Sequence, residues 1–356
     1  MKERILLQFP APLLAWYEEN KRDLPWRRQV SAYRTWVSEI MLQQTRVSAV
    51  IPYFQHFMAA YPTVADLAAA DPEELMHLWQ GLGYYSRARH LQQAAQKIME
   101  EYGGRFPRDY FQVRQLPGIG DYTAGAICSM AFGQDVPAVD GNVLRVVSRI
   151  TGCTENVLCT TVRKKMENWV RACLPPGKAG TFNQAVMDLG AMVCLPNGEP
   201  LCEECPAREF CRARAQGKQK DLPVREKKRE KRQEQKTVFF LRRGEETALC
   251  KRPEKGLLAG LWEYPNVEGR LEETQAAAQL EEWGVIPHLW VKKVNIIHEF
   301  THIKWEMTGY IIEVVGNGKS EWTWASPEMR QKMAIPSAFA RLREEGEKER
   351  NGTVVF

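Results

Sequence analysis

From Gln216 to Lys236 the chain reads QGKQKDLPVREKKREKRQEQK, a charged stretch with almost no apolar side chain. It has no helical or strand face to bury, so it reads as a solvated connector, the alternative being a basic strap laid on phosphates. The stretch separates two regions of different character in a chain of 356 residues, and two domains agree with a prior of about 150 residues per domain. The expected organisation is a domain over 1–215, a linker over 216–236 and a domain over 237–356. Hydrophobic residues at 44% and charged residues at 26% fit a globular chain. No apolar run approaches the roughly 18 residues a membrane span needs. Lys2, Glu3 and Arg4 precede a short apolar patch broken by Pro10 and Pro12, with no small-residue cleavage site. That is not a signal peptide, and a cytoplasmic, bacterial protein is expected.

The first region carries helix punctuation. Asp71-Pro72-Glu73-Glu74 supplies a cap, a proline at the first helical position and an acid three residues after the cap. Gly81 and Gly83 stop that helix, and Ser86 can cap the next, which runs to Gly103-Gly104. No strand-rich pattern appears before Cys211, so this region reads as all-helical. The last region changes to β-branched and aromatic runs. Val238–Leu241, Ala248–Arg252, Val291–Ile297 and Met307–Val315 predict strands, while Leu271–Trp283 and Ser337–Glu345 predict helices. This is α+β in character, without an internal repeat.

Leu116-Pro117-Gly118-Ile119-Gly120-Asp121-Tyr122-Thr123-Ala124 lies between two helical segments. Glycines around one apolar residue allow a tight turn that exposes consecutive N–H groups. Gly118, Gly120 and the following helix N-terminus can then cradle a DNA phosphate, with Ile119 as the anchor in the core. A bare G-x-G would suit any inter-helix turn; the full LPGIG followed by a helix-forming segment is more specific.

LPGIGDYTA resembles the helix-hairpin-helix of the endonuclease III superfamily of DNA glycosylases. VDGNVLRV, from Val139 to Val146, resembles its Gly/Pro-Asp loop, with Asp140 at the catalytic aspartate position. WVSEIMLQQTRV, from Trp36 to Val47, and GLGYYSR, from Gly81 to Arg87, resemble MutY-type adenine DNA glycosylases. The resemblance covers nearly the whole chain, with several motifs in the same order and spacing. It implies a mainly α helix-hairpin-helix glycosylase domain with an iron–sulfur cluster loop, followed by an α+β Nudix-like domain.

Two carboxylates stand in contrasting surroundings. Glu39 has Trp36 and Leu42 at helical spacing, so partial desolvation is expected to raise its pKa and let it hold a proton near neutrality. Asp140 precedes the helical run Val143–Arg149, where a cap position favours the anion. Singly, these residues read as a surface acid and an ordinary cap; paired, they suit acid-plus-stabiliser chemistry at a glycosidic bond. The resemblance implies that Glu39 protonates an adenine ring nitrogen and later helps activate water. It implies that Asp140 stabilises the oxocarbenium-like sugar or bonds to it transiently, supported by Tyr122 and Asn142. The adenine must be extruded from duplex DNA to reach them. Lyase-competent relatives carry a lysine where Tyr122 stands; a phenol cannot form their imine, so a monofunctional glycosylase is expected.

Of nine cysteines, Cys194, Cys202, Cys205 and Cys211 fall in a C-x7-C-x2-C-x5-C run. With no secretion signal, thiolates this close suggest metal ligation rather than disulfides. Only one C-x-x-C pair is present, which fits a cluster better than zinc. The resemblance places a 4Fe-4S cluster here, although the family's usual first spacing is six residues, not seven. Arg208, Arg212 and Arg214 would meet phosphates. The excess of 49 Lys and Arg over 44 Asp and Glu permits such a local patch without demanding nucleic acid.

The resemblance also makes Gln44, Leu82 and Tyr84 wedges in the DNA stack, puts Thr45 near the lesion and places Arg27, beside Trp26, on the pocket wall. In the last region GLLAGLWEYP, from Gly256 to Pro265, resembles the start of a Nudix domain. Ala277-Ala278-Gln279 stand where that family's Arg-Glu metal helix begins, so no pyrophosphohydrolase activity is expected. His298-Glu299-Phe300-Thr301-His302 resembles the loop that reads 8-oxoguanine. There Phe300 inserts and Thr301 and His302 bond the oxidised edge, Thr301 replacing the family's usual serine; no metal is expected at His298 and His302. The implied partner is double-stranded DNA with an A:8-oxoguanine or A:G pair, bound by a monomer with no membrane contact. A mismatched-thymine glycosylase and a catalytically silent DNA-binding module are the alternatives; the QQT wedge argues against the first and the paired acids against the second.

Overall fold

The computed structural model describes residues 3–225 and 231–351. The first stretch is helical: α1 (Pro10–Asn20), α2 (Pro25–Arg28), α3 (Ala32–Leu42), α4 (Val47–Ala60), α5 (Val64–Ala69), α6 (Pro72–Leu78), α7 (Ser86–Tyr102), α8 (Tyr110–Arg114), α9 (Asp121–Phe132), α10 (Gly141–Thr151), α11 (Thr160–Cys173), α12 (Ala179–Met192) and α13 (Arg212–Ala215). The second stretch holds β1 (Arg232–Arg243), β2 (Glu246–Lys251), β3 (Trp262–Glu263), β4 (Asn266–Glu268), α14 (Glu273–Glu282), β5 (Ile286–Glu299), β6 (Ile303–Val315), β7 (Trp322–Ala325), α15 (Pro327–Lys332) and α16 (Ala340–Asn351).

The chain forms two compact units, Met1–Ala70 with His90–Lys227, and Asp71–Arg89 with Lys228–Phe356. The division between Lys227 and Lys228 falls inside the expected 216–236 linker, but the segment from Asp71 to Arg89 groups with the C-terminal part, which the sequence reading did not foresee. Its contacts explain why: Gln80 Nε2 donates to Ile335 O (2.9 Å), Lys251 Nζ pairs with Glu73 (2.7 Å) and Arg89 Nη1 donates to Ala259 O (2.6 Å). The 216–236 linker is also corrected. Leu222 is buried in the first unit, where its carbonyl accepts from Arg149 Nε (2.9 Å), and β1 begins at Arg232. Strand pairing uses backbone groups, so charged side chains do not prevent it. Residues 226–230 lie outside the described residues.

In the first unit, local capping starts the helices that matter. Ser31 accepts from Arg34 N (3.2 Å) at the head of α3. Asp140 accepts from Val143 N (2.7 Å) at the head of α10. Packing then joins them. Val143, Val146, Val147 and Ile150 of α10 share a buried cluster with Phe182, Val186 and Leu189 of α12, and Phe9 meets Phe182 edge-to-face at 6.0 Å. On α9, Gly125 lies against the segment leading into Asp140: a Cβ there would stand 2.1 Å from Pro137 O. The missing side chain thus sets how closely α9 approaches the loop that carries Asp140.

In the second unit, Asp71 caps α6 by accepting from Glu73 N (2.8 Å) and Glu74 N (3.0 Å). A mixed sheet runs β3-β2-β1-β6-β5, with β4 added to β1 and β7 to β2. β1 and β6 are parallel, with Val238 opposite Gly309, and β5 and β6 form an antiparallel hairpin. The apolar run Val238–Leu241 is buried on both faces: Phe239 and Leu241 join Leu280 of α14, while Val238 and Phe240 join Leu342 of α16. The long strands match the sequence reading. The short β3, β4, β7 and helix α15 were not foreseen, being too brief to show a period.

Gly125→Ala is expected to destabilise the protein by about 1–3 kcal/mol through overpacking, lowering the melting temperature followed by circular dichroism; an unchanged melt would contradict the close approach.

Candidate active site

Glu39 sits in the last turns of α3 and is only 5% exposed. Tyr122, in the first turn of α9, donates its phenol hydrogen to Glu39 Oε2. Burial pushes the Glu39 carboxyl up to about 7; the Asp140 charge also raises it, while the Tyr122 hydrogen bond and Arg27 oppose the rise. The upward shift expected from the Trp36 and Leu42 neighbours is thus found, although deep burial rather than those two residues alone produces it.

Asp140 holds two donors. Its Oδ1 accepts from Val143 N and its Oδ2 from Asn142 Nδ2, both at 2.7 Å. The expectation that the cap keeps this carboxyl low is corrected. Burial is the largest influence and raises it; the Val143 and Asn142 hydrogen bonds offset only part of that rise. Asn142 is itself fixed, since its Oδ1 accepts from Arg145 Nη2 (2.9 Å), which also donates to Gly190 O (2.7 Å).

These groups share one cavity of about 480 Å³, lined by Glu39, Tyr122, Asp140 and Asn142 and also by Trp26 and Arg27. Gln44 and Thr45 also line it. Gln44 takes φ 62°, an uncommon left-handed conformation for a side-chain-bearing residue. The sequence reading missed Arg22 and Gln184, which line the same cavity, and Asp188, whose carboxylate is 0% exposed and binds both Arg22 and Arg27. A lone acid in the apolar run AVMDLGAM is the signal that could have flagged Asp188.

The hairpin lies in the same unit. Gly118 takes φ +75°, and a Cβ there would stand 2.7 Å from His90 Cβ. Ile119 is buried beneath the turn. Gly120 caps α9, so the free N–H groups at the start of that helix lie just beyond it.

The remaining predicted contacts fall in the second unit. Leu82 is buried at 6% exposure and lines neither this unit's main cavity nor the one holding Glu39. Its carbonyl and that of Gly83 accept from Arg87 Nη2, both at 3.0 Å. Tyr84 is exposed, at φ 48°, and its hydroxyl bonds the Thr301 hydroxyl at 2.7 Å. Tyr84, Phe300, Thr301 and His302 line a cavity of about 600 Å³. The 300–303 turn between β5 and β6, closed by Phe300 N to Ile303 O at 2.8 Å, presents them.

Cys194, Cys202, Cys205 and Cys211 converge on one small void in the first unit. Arg149 Nη1 donates to Cys194 Sγ (3.2 Å) and Arg145 Nε to Cys194 O (2.8 Å). The longer first spacing is absorbed by a loop that returns through Leu201 N to Val193 O (2.9 Å). Among the described residues no three His, Cys, Asp or Glu side chains are close enough to hold a single ion. Zinc would draw four sulfurs to about 2.3 Å from one centre. Four cysteines lining one void are a donor set that could hold a four-thiolate group such as a multi-iron cluster.

Comparison with known proteins agrees with this geometry. Residues 37–172 match the HhH-GPD superfamily of base excision DNA repair proteins, and residues 237–345 match the NUDIX domain. The adenine DNA glycosylase of Homo sapiens is 37% identical over 382 residues, spanning 90% of this chain and 69% of the human protein. That of Buchnera aphidicola subsp. Acyrthosiphon pisum is 33% identical over 295 residues, 83% of each chain. The structure of a thermostable thymine-DNA glycosylase superposes with a TM-score of 0.53 at 29% identity, over 60% of this chain and 97% of that one. The helical glycosylase core, the Nudix-like sheet and these identities together make the chain a member of the adenine DNA glycosylase family, enzymes of base excision repair that act on DNA.

Proposed function

We propose that this chain hydrolyses the N-glycosidic bond of adenine paired with 8-oxoguanine or guanine. The observation that carries the reading is the shared cavity in which Glu39, with a carboxyl raised to about 7, stands with Tyr122 and Asp140. An everted adenine placed there receives the Glu39 proton on a ring nitrogen, so that the base leaves as a neutral group. The C1′–N9 bond breaks, and positive charge spreads over the sugar C1′ and ring oxygen. Asp140 faces that charge as the carboxylate. The arriving cation supplies a counter-charge that offsets the burial of Asp140, and the Val143 and Asn142 donors hold its oxygens in place. Water adds at C1′ and returns a proton to Glu39, leaving adenine and an abasic sugar.

Tyr122 holds Glu39 by hydrogen bond and has no amine. The first half-reaction therefore ends in hydrolysis, without an imine or strand cleavage. Gly118, Gly120 and the α9 N-terminus suit a DNA phosphate, and Gln44, as a wedge, and Thr45, near the lesion, line the same cavity as Glu39. The cavity of Tyr84, Phe300, Thr301 and His302 suits a purine with an oxidised edge, one aromatic face stacking and the hydroxyl and imidazole bonding. Cys194, Cys202, Cys205 and Cys211 would hold a 4Fe-4S cluster, which ties the 194–211 loop to α10 and supplies a redox-active centre when bound.

Glu39→Gln should bind a duplex with one A:8-oxoguanine pair and release adenine at least 100-fold more slowly. For the wild type, the acid form of Glu39 is present below about pH 7 and lost above it. The single-turnover rate should fall as pH rises through that value; a rate that climbs there, or excision by Glu39→Gln at the wild-type rate, overturns the assignment. Borohydride added during turnover should trap no protein on DNA, and strong Tyr122-dependent cross-linking would remove the monofunctional reading.

A further inference from the structure

Asp188 is a carboxylate with no solvent exposure beside the cavity, and the mechanism above gives it no task. It lies on α12 with a side chain 0% exposed. Five N–H groups from two arginines converge on it. Arg22 donates through Nε (2.8 Å) and Nη2 (2.6 Å) to Oδ1 and through its backbone N (3.2 Å) to Oδ2; Arg27 donates through Nη1 (2.7 Å) to Oδ2 and Nη2 (3.0 Å) to Oδ1. Both guanidinium side chains line the cavity that holds Glu39. We propose that Asp188 is a positioning residue: it fixes Arg22 and Arg27 in the cavity wall and offsets their charge beside Glu39. This rests on the glycosylase reading of that cavity.

Three physical points support it. A guanidinium offers donors only, so two of them on the wall favour acceptor atoms such as the ring nitrogens of a purine. Their value depends on geometry, and a carboxylate that takes both forks removes their freedom. Their charge, left alone, would strip the proton from a neighbouring acid. Burial pushes Asp188 up, but Arg27 and then Arg22 outweigh it and hold the carboxylate below its ordinary range, so it remains the anion that this offset needs.

Glu39 is faced by Tyr122 from α9, Asp140 from the head of α10 and Arg27 from α2. Arg22 and, from α11, Arg163 also line the cavity. α4, packed on α3, carries Tyr53 and His56, which are not on the cavity wall. Removing the Asp188 charge therefore leaves Arg27 as the nearest uncompensated cation, while removing Arg27 does the reverse.

The test measures the pH dependence of single-turnover adenine release on an A:8-oxoguanine duplex, alongside an infrared titration of the protonated Glu39 carboxyl in the DNA-free protein. Asp188→Asn should move the alkaline limb and the Glu39 titration to lower pH by about one unit. Arg27→Gln should move both upward, and Asp188→Glu should restore the wild-type position. Limbs that stay fixed, or shift the same way in Asp188→Asn and Arg27→Gln, overturn the proposal even if stability falls. If Asp188→Asn does not fold, Asp188→Glu and Arg27→Gln carry the test, and failure of either expected position overturns it. Wild-type protein that releases no adenine rejects the glycosylase reading instead, while the infrared titration still decides the role of Asp188.

Discussion

A carboxyl group removed from water and met by a phenol is the constraint around which the first unit is arranged. Glu39 on α3 and Tyr122 on α9 belong to helices that pack directly on each other. The buried acid keeps a proton because its surroundings solvate a charge poorly, not because of any one neighbour. That condition depends on tight packing, which is why Gly125 matters: on the same helix as Tyr122, it lets the Asp140 loop approach without a Cβ. The second carboxylate answers the first. Asp140 is also costly to ionise; burial outweighs its Val143 and Asn142 donors, as it outweighs the bond Glu39 accepts from Tyr122.

Helix α10 carries this arrangement from the chemistry to the cysteines. Its cap is Asp140; one turn on, Arg145 bonds Asn142, Gly190 O and Cys194 O; another turn on, Arg149 bonds Cys194 Sγ, Leu195 O and Leu222 O. Buried arginines with several carbonyl partners brace a loop without a carboxylate partner of their own. Filling the cysteine site and holding the Asp140 loop are in this sense one mechanical problem.

Much of this was legible in the sequence. Capping signals, the LPGIG turn and the cysteine spacing are local features, and local features survive translation into structure. The Val238–Leu241 run announced a strand. What could not be read depends on distance along the chain. Asp188 meets Arg22 across 166 positions, and Asp71–Arg89 joins the C-terminal unit through Ile335 and Ala259. Neither contact leaves a local pattern. Leu82, read as a wedge in the DNA stack, is 6% exposed in the DNA-free protein, a burial no local pattern shows. Asp140 looked like an ordinary low-pKa cap because its burial is invisible in the residues beside it. Charged residues at the start of β1 hid a strand, since side-chain composition does not report backbone pairing.

The central claim is that Glu39 carries its proton in the folded protein well above the pH at which an unfolded glutamate would lose it. Its pKa is raised from 4.5 to about 7 on folding, so the native state binds the extra proton between those values and stability contributed by this group is lost as pH rises through them. Unfolding free energy measured against pH for wild type and Glu39→Gln tests this directly. The wild type should lose on the order of 2–3 kcal/mol relative to the variant between pH 4.5 and 7. Parallel stability curves for the two proteins would contradict it.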